Sequence, residues 1–185
     1  MNIITKPYGS EFYYIKPDMS RNRDCDNYFC PDNITELAAV PFLYTRIEKA
    51  GKAIASKFAE RYYSTIGYGI QLVATSLINK EDLASIWVSQ SLDNTAYFSS
   101  LSPIANAQNV IEALLLWDNN CKDTIAGQLI SKINSTIESI SKYSSIKTGD
   151  YVVLELLPQQ QSHTITLQQS NINIKLGELN FYIIA

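Results

Sequence analysis

The stretch ELAAVPFLYTRIEKAGKAIASKFAERYYSTIGYGI, residues 36–70, decides the fold. From Leu37 to Ile47 it is almost wholly apolar and reads as a buried strand, which the turn Lys49-Ala50-Gly51 ends. Ile54, Phe58 and Tyr62 then recur at i, i+4 and i+8. That spacing predicts a helix from Lys52 to about Gly67, with its Phe58 face packed on the sheet. Gly69 to Ser76 alternates and is β-branched, so the chain returns as a second strand.

Outward from this unit, the first 35 residues are rich in Pro, Asp, Asn and Tyr and form a meandering arm, extended at Phe12 to Ile15 and stopped by Pro17. After Ser76 a short helix is expected at about Glu81 to Trp87, and a strand after Asp93. NVIEALLLWDNN, residues 109–120, reads as a long strand with an Asp-Asn-Asn turn. Ile125, Leu129, Ile133, Ile137 and Ile140, with Ile130 between, form the cleanest helical stripe in the chain, capped by Asp123 or Thr124. KTGD is a turn, and YVVLELL, HTITLQQ, NINIKL and LNFYIIA are short strands. The sum is an α+β, mostly β chain, read as one domain over 1–185 with an arm at 1–35 and a core at 36–185.

Composition narrows function. A net charge of −3, from 15 basic and 18 acidic residues spread along the chain, builds no surface for nucleic acid. No apolar run approaches the roughly 20 residues of a membrane span, and MNIITKPYGSEF holds no signal-peptide core, so a cytoplasmic protein is expected. In that compartment Cys25, Cys30 and Cys121 are expected reduced, and the sequons at Asn33 and Asn134 carry no meaning. Acidic neighbours around Cys25 and Cys30 disfavour a thiolate nucleophile.

YYIKPD (13–18), RIEKAGKAIASKFAERYYSTIGYGI (46–70), KTGD (147–150) and the closing LGELNFYII, in this order and spacing, resemble the fumarylacetoacetate hydrolase family. Small bacterial members of that family hydrolyse acylpyruvates or decarboxylate and tautomerise oxaloacetate-like acids. The resemblance implies a mixed, rolled β-sheet with a few peripheral helices. It also implies Mg²⁺ or Mn²⁺, held by E-x-E on the strand before R-I and by G-x-D on the strand after it, because such hard cations take oxygen ligands. Alignment on Arg46-Ile47 and Gly69-Ile70 puts Val40, Phe42 and Gln71 at those ligand positions. The family's lysine after the Trp-containing helix falls near Gln90 or Ser91. Of its T-G-T-P loop only Pro158 persists, and the N-terminal His and Glu of active members have no counterpart.

The resemblance therefore implies a fold kept without its chemistry: no catalytic residue, no metal, and a binding or scaffolding role as a homodimer or as a subunit paired with a related protein. The alternatives are a divergent metal-dependent hydrolase or tautomerase, with ligands such as Glu36 and Glu155, and a sensor of small organic acids using Lys16 and Arg46. Against the enzyme, His163 reads as a surface residue and Glu155 as the outward-facing member of an alternating strand.

Overall fold

The computed structural model describes residues 1–117, 128–158, 162–167 and 171–184. Its centre is β5 (Glu36–Arg46), antiparallel to β6 (Thr65–Val73) with Val40 opposite Gln71 and Phe42 opposite Gly69. On its other side β5 is antiparallel to β9 (Tyr151–Glu155), which lies parallel to β1 (Ile3–Lys6), and β1 in turn pairs with β2 (Tyr14–Lys16). Beyond β6 follow β7 (Ala96–Phe98) and β3 (Arg21–Asn22), while β8 (Ser102–Pro103) also pairs β6. The N-terminal arm is thus woven into the sheet rather than appended to it.

Pro41 stands inside this central strand, where a missing N–H would ordinarily cost a ladder bond. Here β10 (His163–Thr166) pairs Glu36 to Ala39, and β9 pairs Phe42 to Arg46. The Pro41 carbonyl accepts from Leu156 N at 3.0 Å. In a strand a residue's N–H and C=O point the same way, so the absent donor falls at the handover between the two neighbours.

Alternation divides the sheet into two faces. One carries Leu37, Ala39, Leu43, Ile70, Leu72 and Val152 into the main core, which α3 (Leu129–Tyr143) closes with Ile133, Ile137 and Ile140. The other carries Val40, Phe42, Tyr44, Gln71 and Glu155, and it too is buried. A second sheet, with β12 (Leu179–Ile184) between β11 (Ile172–Leu176) and β4 (Tyr28–Phe29), packs on the first through stacked Tyr97 and Phe181 rings at 3.6 Å.

The helical stripe from Leu129 to Ile140 is helix α3, while Ile125 and the caps at Asp123 and Thr124 lie outside the described residues, as does Cys121. The short helix expected at about Glu81 to Trp87 is α1 (Leu83–Gln90), opened by Asp82 accepting from Ala84 N at 2.9 Å. Two expectations fail. Residues 52–67 hold only a 3₁₀ turn at Ser56–Arg61, because Ala53 takes a positive φ of 51° and β6 already starts at Thr65. Phe58 is exposed beneath Arg61 and Lys57, at 4.7 and 5.0 Å from its ring. The strand expected from Asn109 is instead helix α2 (Ala107–Trp117), which buries Val110, Ala113 and Leu114 at helical spacing and leaves Leu116 in solvent.

Candidate functional site

On the second buried face, Val40 packs with Ala38 and Val73, and Phe42 with Ile3, Tyr44, Phe98 and Val153. Val40 is 0% and Phe42 1% exposed. Room for the Phe42 ring comes from Gly69 opposite: a Cβ there would lie 2.2 Å from Phe42 Cζ and 2.2 Å from the Tyr97 carbonyl oxygen. The two positions that the resemblance assigns to glutamates therefore hold carbon inside apolar clusters, with no oxygen to give a cation.

Between those clusters lies a closed polar group. Gln71 donates through Nε2 to Glu155 Oε1 and, at 3.3 Å, to the Tyr14 hydroxyl. Tyr14 donates to Glu155 Oε1 at 3.2 Å, and Lys16 Nζ donates to Gln71 Oε1 at 3.3 Å. The other Glu155 oxygen accepts from Tyr8 N at 3.4 Å. Register explains the meeting: Thr5 faces Tyr14 and Val153, so Tyr14, Lys16, Val153 and Glu155 project from one face of the rolled sheet.

Burial sets the electrostatics of the group. Desolvation holds the Glu155 carboxyl above its ordinary pKa, opposed by the hydroxyl of Tyr14, the Tyr8 N–H and the charge of Lys16. Desolvation also pulls Lys16 down to about 8, with Glu155 resisting. Tyr14 is pushed well above its usual value, first by burial and then by the Glu155 charge. An ammonium thus shares the Gln71 amide oxygen that alignment offers to a metal, and the one carboxylate nearby is already hydrogen-bonded. This donor set does not fit a divalent cation. Among the described residues no group of three His, Cys, Asp or Glu side chains is placed to hold one.

Glu155 corrects the sequence reading: it does not face outward but lies 2% exposed within this cluster. The outward assignment assumed one wet face, whereas here both faces of the sheet are covered. Tyr14 joins the cluster because alternation in YYIK puts Tyr14 and Lys16 on one face. Glu36 is engaged elsewhere, accepting from Thr75 Oγ1 at 2.6 Å. His163 is exposed on β10 with its ring 4.9 Å from that of Trp117, away from the cluster. Arg46 is exposed at the end of β5, so it and buried Lys16 do not form a joint anion site.

Gln90 is buried at the end of α1 and lines, with Tyr14 and Trp87, a pocket of about 450 Å³. Ser91 caps that helix through its N–H to Val88 O at 3.1 Å. Pro158 follows β9 and accepts from Ser162 Oγ at 3.0 Å. Cys25 and Cys30 are free thiols, both pushed up by burial, and Cys25 also by Glu178 and Asp24. No described helix is long and apolar enough to cross a membrane.

No family model and no curated protein matches this sequence. Solved structures do match its fold. A Yersinia pestis CO92 protein assigned to the fumarylacetoacetate hydrolase family superposes with a TM-score of 0.71 at 15% identity, covering 99% of this chain and 92% of that one. A Pseudomonas aeruginosa fumarylpyruvate hydrolase, solved with Mn²⁺ and pyruvate, gives 0.70 at 13% identity over 100% and 89%. A Mycobacterium marinum 2-hydroxyhepta-2,4-diene-1,7-dioate isomerase gives 0.62 at 9% identity over 99% and 73%. The chain therefore has the fumarylacetoacetate hydrolase-like fold, mixed and mostly β with a curled sheet and few helices.

Proposed function

We propose that this chain is a non-catalytic relative of the fumarylacetoacetate hydrolases, a binding or scaffolding subunit that pairs with itself or with a related protein. The observation that carries this reading is the joint occupation of the aligned ligand positions by Val40, Phe42 and a Gln71 whose amide is already bonded by Lys16 and Glu155. In metal-assisted enolate chemistry the cation stabilises the charge that the base creates, so loss of the ligands removes the source of that stabilisation. The test is thermal unfolding with and without Mg²⁺, Mn²⁺ or Ca²⁺, each with and without oxalate. The midpoint is expected to stay unchanged. A ligand at 100 times its Kd would add about 2.7 kcal/mol, so a clear metal-dependent rise would return the protein to the metalloenzymes.

One observation favours a second reading, a divergent hydrolase or tautomerase. Glu155, Tyr14 and Lys16 are buried together and shifted from their ordinary pKa values, as acid–base groups in active sites often are. Assay of acylpyruvate hydrolysis and oxaloacetate tautomerisation settles it: turnover abolished by Glu155→Gln supports the enzyme. Absence of turnover in the unaltered protein favours the scaffold.

A further inference from the structure

At the end of β9 a cavity of about 300 Å³ lies between the turn that follows β1 and helix α3. Lys6, Ser10, Lys132 and Glu155 line it. The turn is closed by Ser10 N donating to the Pro7 carbonyl at 3.2 Å, with Gly9 at a positive φ of 69°. Ser135 and Thr136 also border the cavity, but both hydroxyls donate to the Lys132 carbonyl, at 2.9 and 2.8 Å. Ser10 Oγ accepts from Phe12 N at 3.0 Å, so its own proton remains to give. The side-chain donors left are that hydroxyl and the two ammonium groups. Neither lysine has a carboxylate within ion-pairing distance among the described residues. Burial pulls Lys132 below its ordinary pKa, a cost that an anion beside it offsets.

One acceptor completes the lining. Glu155 is 2% exposed, and its Oε2 receives a single long bond, 3.4 Å from Tyr8 N. A carboxylate oxygen carries two lone pairs, so Oε2 keeps one acceptor place. An oxyanion in the cavity is drawn by the ammonium groups and repelled by this oxygen unless a proton lies between them. From this juxtaposition of two unpaired cations, a free hydroxyl and one buried acceptor, we infer that the cavity binds inorganic phosphate. Its bare oxygens accept from Lys6, Lys132 and Ser10, and its P–OH donates to Glu155 Oε2. Sulfate has no proton at neutral pH and leaves the Glu155 oxygen against a negative charge. None of Val40, Phe42 and Gln71 lines the cavity, so the site is independent of the metal question.

The experiment is calorimetric titration of the full chain with inorganic phosphate, sulfate and methyl phosphate at constant ionic strength. At pH about 7.5 a phosphate monoester is bare like sulfate, because its second pKa is about 6, whereas inorganic phosphate keeps a proton. Phosphate is expected to bind saturably, and the other two at least about tenfold more weakly. Lys6→Met and Lys132→Met are each expected to weaken phosphate about fivefold or more. Glu155→Gln is expected to bring sulfate within about threefold of phosphate, a gain that damage to the fold would not produce. Absence of saturable phosphate binding overturns the assignment, as does binding that both lysine substitutions leave unchanged. Sulfate binding as tightly as phosphate to the unaltered chain overturns it, and so does a rejection of sulfate that persists in Glu155→Gln.

Discussion

Lys16 and Glu155 give the folded protein opposite responses to pH. Lys16 has its pKa lowered to about 8 from 10.5, so between those values the unfolded chain holds the proton more often than the folded one. Stability from this group therefore rises with pH from about 8, by on the order of 3 kcal/mol at full deprotonation. The buried tyrosines, Tyr14 among them, are shifted upward and oppose the gain above pH about 10. Melting of wild type against Lys16→Met between pH 7 and about 10 is expected to show the rise in wild type alone. Glu155 is raised above 4.5, so the folded state keeps a proton that the unfolded state has lost, and stability falls as pH climbs through that window. Glu155→Gln is expected to remove the fall and melt higher at pH 7, by differential calorimetry. Lys16 was legible as a motif residue, but its partner Gln71 stands 55 residues away, and only the roll of the sheet brings them together.

Among the elements, α2 offers the sharpest test. As a helix it buries Leu114 completely and leaves Leu116 85% exposed; as a strand the two would share a face and cost the same. Leu114→Ala is expected to lose about 2–5 kcal/mol in denaturant unfolding, and Leu116→Ala to stay within about 0.5. Gly69→Ala on β6 sets a Cβ against the Phe42 ring and the Tyr97 backbone, and is expected to cost about 1–3 kcal/mol or more by the same measurement. Residues 36–47, α3 and the last four strands were readable because their periods are strong and their ends are punctuated. Residues 109–117 were not, because a run of aliphatic residues conceals which three-to-four spacing is buried. Residues 52–62 carried a helical spacing that Ala53's left-handed backbone and the early start of β6 overrule.

For the whole molecule, Val40 and Phe42, which the resemblance aligns with metal ligands, belong to the core. Val40→Glu would put an unpaired carboxylate at a fully buried position against Ala38 and Val73. It is expected to destabilise by about 3 kcal/mol or more, seen as a lowered denaturant midpoint, and not to create metal affinity. The fold was legible at this scale from four short strings in order, since long-range order is what families of one fold share at low identity. The closed quartet of Tyr14, Lys16, Gln71 and Glu155 depends on contacts between residues far apart in sequence.

Pro41 also marks a mechanical boundary. Because β5 changes neighbour at a residue that donates no hydrogen bond, the β10 ladder ends independently of the β9 ladder, like a seam between two panels. The amides joining β5 to β10 are therefore expected to exchange with solvent by local opening, at a lower free energy than those joining β5 to β9. Native-state hydrogen exchange that found both sets equally slow would show the seam to be stitched shut.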